Sequence, residues 1–322
     1  MGITAFIIDH PRGLTSAPDP EPIVDLSIVL VNYNGLSYLP ACLESLRQFS
    51  PPGTEVIMAD NGSSDGSADL VAREYPSVHL IRSKRNLGFA GGNNLAAMRA
   101  RGKFMLLLNT DTILLEPIAP ALGWLEGHPE YGILTIGMVD AQRVPQSCTG
   151  RFPTPLRLVR LRTMMVRPQA YDGNQAYKVD WVQGSFLLIR AATWRALGGL
   201  DERYFMYSEG VDLCKRARDS GLLCALLPGM RYVHIGGYSP VRFPEWVTSL
   251  VLYIDQHMGA RRICSRAILL FGCMARFAWY RLRASLLRDE ASRTVAHACR
   301  QALGTLLPGQ RRAKARQSGV GS

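Results

Sequence analysis

The sequence predicts an α/β protein built on an open, mostly parallel sheet flanked by helices, with a basic helical extension at its C-terminal end. Three observations carry this. Between residues 26 and 111 short apolar runs alternate with amphipathic stretches, as buried parallel strands alternate with the helices that cover them. Each run stops at polar residues, and ligands of such sheets collect at the carboxyl ends of the strands. Charge is segregated: residues 1–240 carry 23 basic and 22 acidic residues, whereas 241–322 carry 14 and 4.

The elements follow in order. Residues 1–25 hold four prolines and little periodicity, which predicts a loose lead-in. LSIVLVNYN from Leu26 is a buried strand. Leu36, Leu39, Leu43, Leu46 and Phe49 then repeat at three and four, one face of a helix. Pro40 falls near its first turn, where proline is tolerated. VIMAD ends at Asp60, a turn follows, and Ser67 opens a second helix that reaches Tyr75-Pro76. VHLIR (78–82), a glycine-rich stretch, a helix over 92–101 and the strand FMLLL (104–108) complete a β-α-β-α-β-α-β series. Beyond it, VQGSFLLIR is a strand, Thr193–Leu197 a short helix ended by two glycines, Glu209 to Gly221 a helix, and 224–233 a strand.

Composition excludes several classes. With 322 residues, 47% of them apolar, and 20% charged, the chain can build a large core and is not a disordered protein. Neither apolar run of residues 246–280 reaches the ~20 residues of a spanning helix. The N-terminal stretch has no basic segment ahead of its short apolar run, so a secretory signal is not expected. Seven cysteines without a C-x-x-C pair predict reduced, buried thiols and a cytosolic setting. A net charge of +11 raises nucleic acid as a partner, but the positive charge is remote from the polar strand ends and no nucleic-acid module is present.

Those strand ends are Asn32-Tyr33-Asn34, Asp60-Asn61, Arg85-Asn86 and Asn109-Thr110-Asp111. Asp60 can accept from a base imide or a ribose hydroxyl. The stretch Asn86 to Asn94 offers backbone N–H groups at a helix entry, which suits an anion. It is neither a dinucleotide fingerprint nor a P-loop. Asp111 is placed for a hard divalent cation that fills its shell from phosphate and water; capping a helix near Glu116 is the competing role. Glu209 and Asp212 share a helical face, as a general base or as partners of the helix dipole. His234 is followed by two glycines that permit close approach of a ligand.

Seven segments in this order, SIVLVNYNG, VIMADNGSSDGS, RNLGFAGGNN, LLLNTDT, WVQGSFLLIR, GGLDERYFMYSEGVDLCKRARDSG and HIGGYS, resemble the inverting glycosyltransferases of family 2, which have the GT-A fold, and their bacterial rhamnosyltransferase-like branch. The resemblance covers about residues 26–240: a nucleotide-binding half, 26–111, and an acceptor-binding half, 112–240. It implies that Asn32, Asn34 and Asp60 line a nucleoside pocket and that Arg85, Asn86 and Gly88 border the diphosphate. Asn109-Thr110-Asp111 stands where the family has D-x-D, with Asp111 on Mg²⁺ or Mn²⁺ and His234 completing that site. Trp181, Gln183 and Gly184 would flank the sugar and acceptor. The family reads E-D-x-D-L or E-E-x-D-L where this chain has Glu209-Gly210-Val211-Asp212-Leu213, so the usual base is a glycine. Glu209 is the first replacement by reach and Asp212 the second. The implied chemistry is direct displacement of a nucleoside diphosphate by the hydroxyl of a lipid-linked or polysaccharide acceptor, with inversion. A sugar-nucleotide-binding relative without turnover is the alternative that Gly210 raises.

Residues 241–322 interleave arginine with Trp246, Phe271, Phe277 and Trp279. This suits helices lying on an anionic membrane at the cytoplasmic face, with ordinary solvated helices as the alternative. Arg151–Arg167 holds five arginines and no acid, and the tail from Arg311 is expected to be disordered.

Overall fold

The first half runs β1 (Val24–Asn32), α1 (Leu39–Phe49), β2 (Glu55–Asp60), α2 (Ser67–Glu74), β3 (Val78–Arg82), α3 (Gly88–Ala97) and β4 (Gly102–Asn109). The computed structural model describes residues 24–159, 164–171, 173–236 and 240–306. The lead-in up to residue 23, Arg160 and Arg162, the GYS of HIGGYS (237–239) and the tail from 307 lie outside them.

β1 is buried on both faces, which is why it reads as a continuous apolar run. Ile28 and Leu30 enter the main core, while Val29 meets Ile57, Ala59 and Ala96 on the other side. α3 begins at Gly88, four residues before the expected start. A Cβ on Gly92 would lie 2.7 Å from Val31 Cγ1, so this helix turn is glycine-rich because it packs directly onto β1. The composition that suggests a loop is a close-packing requirement.

The second half comprises β5 (Thr112–Leu114), α4 (Ala119–Gly127), β6 (Tyr131–Val139), β7 (Pro145–Gln146), β8 (Thr149–Gly150), α5 (Pro155–Val159), β9 (Tyr177–Val179), β10 (Trp181–Val182), β11 (Phe186–Arg190), α6 (Ala191–Leu197), α7 (Glu209–Asp219) and β12 (Leu223–His234). The main sheet has the order β3-β2-β1-β4-β11-β6-β12-β5. β3, β2, β1 and β4 are parallel, and β6 with β12 likewise. β11 is antiparallel to both β4 and β6 and joins the two parallel groups into one sheet. Asp111 does not cap a helix. It sits in the turn into β5, which pairs His234 with Thr112 and so brings the end of β12 beside the end of β4.

Three helices follow: α8 (Phe243–His257), α9 (Arg262–Leu287) and α10 (Glu290–Leu306). They share a second core, with Val247, Leu250, Ile254, Leu269, Cys273 and Cys299 buried together. α8 also braces the segment ahead of α7: Ser249 Oγ donates to Met206 O at 2.7 Å and Gln256 Nε2 to Asp201 Oδ2 at 2.8 Å. All seven cysteines are free, and six are buried. The helix from Gly259 to Leu287, with mean hydropathy 1.2 over its best window, is long and apolar enough to cross a membrane by length and composition. The two apolar runs read from the sequence lie in different helices, the first in α8 and the second in α9, and the second falls short when counted alone because α9 extends beyond it at both ends.

Candidate active site

The strand ends converge. Asn32 and Asp60 are register partners on β1 and β2, and Asn32 Nδ2 donates to Asp60 Oδ1 at 2.9 Å and to Ser67 Oγ at 2.7 Å. Both residues are buried, and Asn32 Oδ1 has no partner. A buried amide oxygen without a donor is costly unless a ligand supplies one. Asn34 adopts φ +52° and accepts from Ser64 N at 2.9 Å, which pins the loop above Asp60. Asp60 Oδ2 accepts from Ser63 N at 3.1 Å.

Asn61, which the sequence marks as a strand end without a role of its own, organises the next loop. Its Nδ2 donates to Asn86 Oδ1 and Gly88 O, both at 2.9 Å, and its Oδ1 accepts from Leu87 N at 2.9 Å. Asn86 is therefore a turn-forming residue as much as a ligand candidate. Arg85 beside it is exposed. Gly88 has φ +76°, and a Cβ there would come within 2.2 Å of Phe205 O, so this loop closes directly on the segment before α7.

At the far end Asp111 Oδ1 lies 3.3 Å from His234 Nε2, and Asn109 Nδ2 lies 3.5 Å from the same nitrogen. Burial pushes the Asp111 carboxyl up, but the hydrogen bond and charge of His234 outweigh it and hold the group below its ordinary value. Among the described residues, Asp111 and His234 belong to no cluster of three or more acidic, histidine or cysteine side chains. Two donors are enough for a Mg²⁺ or Mn²⁺ ion that takes its other ligands from phosphate and water. Gly236 marks the cradle: a Cβ there would sit 2.0 Å from Asp111 Oδ2. Replacing Gly236 with alanine should displace that carboxylate and weaken Mn²⁺ binding roughly tenfold or more, with thermal stability nearly unchanged, as titration calorimetry would register.

Between these ends stands Glu209, the first residue of α7. It is 7% exposed, and its Oε2 is buried without a hydrogen-bond partner. Desolvation pushes its carboxyl up to about 7, helped by the charge of Asp212 and opposed by the backbone N–H groups of Glu209 and Gly210. Tyr207 and Ser208 immediately before it have φ of +69° and +64°, rare for residues with side chains. Two such residues in succession are strain that the surrounding packing must hold. A Cβ on Gly184 would lie 3.8 Å from Glu209 Oε1, and Ser185 O accepts from Asn109 N at 3.2 Å. Glu209, Gly184, Ser185, Asn109, Asp111 and His234 are thus one contiguous series. A Cβ on Gly210 would make an ordinary 3.4 Å contact with Val182 O. The helix therefore does not require glycine at this position.

Asp212 does not share the position of Glu209, although the sequence offers both as bases. It is 1% exposed and held by Arg216 Nε at 2.8 Å and His257 Nε2 at 2.7 Å. Arg216 also donates to Leu197 O at 2.6 Å and Gly199 O at 2.8 Å. A carboxylate held by the Arg216 guanidinium on one oxygen and the His257 ring on the other is an anchor for α7, which leaves Glu209 as the candidate base. Asp212→Ala should leave Arg216 without its carboxylate and cost on the order of 3–5 kcal/mol, visible as a lower urea midpoint. Trp181 likewise is packed against Gly150, its indole N–H donating to Arg151 O at 3.0 Å. Gln183 is nearer the expectation, with a buried Oε1 that has no partner.

Residues 27–179 match the family model described as glycosyl transferase family 2. The N-acetylglucosaminyl-diphospho-decaprenol L-rhamnosyltransferase of Mycobacterium tuberculosis is 28% identical over 267 residues, 73% of this chain and 85% of that one. The mannosyltransferase PcManGT from Pyrobaculum calidifontis, solved with GDP-Man and Mn²⁺, superposes with a TM-score of 0.54 at 16% identity over 94% of this chain and 90% of that chain. GalNAc-T7, solved with UDP, GalNAc and Mn²⁺, gives 0.58 at 18% identity over 74% of this chain, which spans about half (49%) of that protein. At such identities the two structures share a fold with this chain.

Proposed function

We propose, from the premise that residues 27–179 of this glycosyltransferase form a family 2 domain, that it is metal-dependent and inverting. It moves a sugar such as rhamnose from a nucleoside-diphosphate donor to a hydroxyl of a lipid-linked acceptor in cell-surface glycan assembly. The observation that carries this is Glu209: a buried carboxylate, pushed up to about 7, with one unpartnered oxygen, beside Gly184, whose neighbour Ser185 is hydrogen-bonded to Asn109. A base is most effective when its affinity for a proton matches the working pH. The named rhamnosyltransferase relative supports rhamnose and a lipid diphosphate acceptor.

In this reading Asn32 and Asp60 hold the nucleoside, and the Asn86–Gly88 loop offers its N–H groups to the diphosphate. Asp111 and His234 would hold Mg²⁺ or Mn²⁺, which when bound neutralises charge growing on the leaving diphosphate. Glu209 takes the proton of the acceptor hydroxyl while that oxygen bonds to the anomeric carbon. The bond from that carbon to the phosphate oxygen breaks, its electron pair leaving with the nucleoside diphosphate. One displacement inverts the anomeric centre. The protein would work peripherally at the cytoplasmic face of the membrane, held there by its basic C-terminal quarter.

The test is a panel of nucleotide sugars screened by thermal shift with and without Mn²⁺, followed by turnover on a prenyl-diphosphate-GlcNAc acceptor. Donor-dependent release of nucleoside diphosphate, abolished by chelation and giving an inverted linkage by NMR, is the expected result. Stabilisation by a donor without turnover on any acceptor would favour the non-catalytic alternative.

A further inference from the structure

A groove of about 350 Å³ opens between α9 and α10, lined by none of the residues of the cleft. Its wall carries Arg281 from α9 and Arg293 and Arg300 from α10, together with His297 and Phe277, and no carboxylate. Elsewhere in this region arginines are neutralised, Arg266 by Asp255 and Arg283 by Asp289. Among the described residues, Arg281, Arg293 and Arg300 have no acidic partner within ion-pair distance. The Arg281 guanidinium lies over the Phe277 ring at 5.8 Å, which steers it toward the groove. Uncompensated guanidiniums around one concavity repel each other. A phosphate relieves that repulsion and matches their paired donors.

The same helix presents apolar residues to solvent. Phe271 is 67% exposed, Trp279 61% and Leu286 72%, with Ile263, Met274 and Leu282 also exposed. Leu282 follows Arg281 and Leu286 follows Ser285, two residues of the groove wall, so the stripe flanks the groove. Phosphate-binding cations beside exposed apolar side chains are complementary to a phospholipid, whose phosphate sits directly above its acyl chains. Arg262, Arg266, Arg276, Arg281 and Arg283 recur along α9, which favours a helix lying in the interface over one crossing the bilayer.

We infer that the α9–α10 groove is a binding site for the phosphate headgroup of an anionic membrane lipid, with the flanking stripe of α9 inserted into the interface. This deepens the peripheral-membrane part of the function proposed above and is independent of the glycosyl-transfer part.

The experiment is flotation of the full chain on phosphatidylcholine vesicles with and without phosphatidylglycerol. R293Q/R300Q is compared with R261Q/R262Q, which removes the same charge from exposed positions outside the groove. Circular dichroism melting reports the fold of each variant, and donor binding by thermal shift reports the cleft. The expected result is binding that needs phosphatidylglycerol and is weakened about tenfold more by R293Q/R300Q than by its control, with donor binding unchanged in both. L282S/L286S should also weaken binding while keeping every charge. Equal loss in the two arginine variants would overturn the groove and leave diffuse attraction in its place. No flotation of the wild type would overturn the membrane reading too, without touching the transferase reading. Binding of poly(U) that R293Q/R300Q abolishes, in the absence of flotation, would make the groove a nucleic-acid site and overturn the inference.

Discussion

Glu209→Gln should lower kcat by roughly 10²–10⁴, the range for loss of a general base, while donor affinity stays within about twofold because no group proposed to touch the donor changes. The pH profile of the wild type carries the same prediction. Only the carboxylate can accept a proton, and the group titrates at about 7 in the folded protein. Turnover should therefore rise with pH through that value and level off above it, a limb that Glu209→Gln removes. Stability moves the other way. The carboxyl titrates from a reference of 4.5 and is raised to about 7 by folding, so the fold favours the protonated form. That contribution is complete below about 4.5 and is lost as pH rises through 7. At pH 8 the glutamine variant escapes a penalty of about 3 kcal/mol, and its melting temperature should exceed that of the wild type by a margin that shrinks on acidification. A kcat unchanged by the substitution would remove Glu209 from the mechanism.

Asp111→Ala should abolish the metal-dependent part of nucleoside-diphosphate binding, a loss of roughly a hundredfold or more for an ion that contributes several kcal/mol. The protein should remain folded, since the partners of the Asp111 carboxylate are local to the turn: His234 at 3.3 Å, Asn109 and its own backbone N–H. Calorimetry with Mn²⁺ present and absent separates the two contributions. In the variant the two isotherms should coincide. Equal affinities for wild type and variant in Mn²⁺ would place the cation elsewhere.

Much of this molecule is legible in one dimension. β1 to β4 can be read because strands buried on both faces must be continuously apolar, and such runs end where the chain meets water or ligand. Asn32, Asp60, Asn109 and Asp111 are visible for the same reason: a polar residue directly after a buried strand is held at the sheet edge, where neighbours from other strands are held too. The free, largely buried cysteines and the segregated charge are likewise properties of composition. Other features arise from contacts between residues far apart in the chain. That β11 runs antiparallel between β4 and β6 depends on pairings of Leu188 with Leu106 and Leu134, which no local period encodes. Glu209 and Asp212 are equivalent on a helical wheel. Only the approach of α8, with His257 on one side of α7, and of Gly184 on the other gives them opposite fates. Gly88 looks like a loop residue until Phe205 is seen to need the space of the missing side chain, and the glycine at 92 is explained only by Val31 packed against it. The parallel strands β1 to β4, their polar edge and the charge of the C-terminal quarter can be read from the chain, because each follows from periodicity or composition. The tertiary structure alone decided which carboxylate is buried without a partner, because desolvation is a property of everything packed around a group and not of its neighbours in the chain.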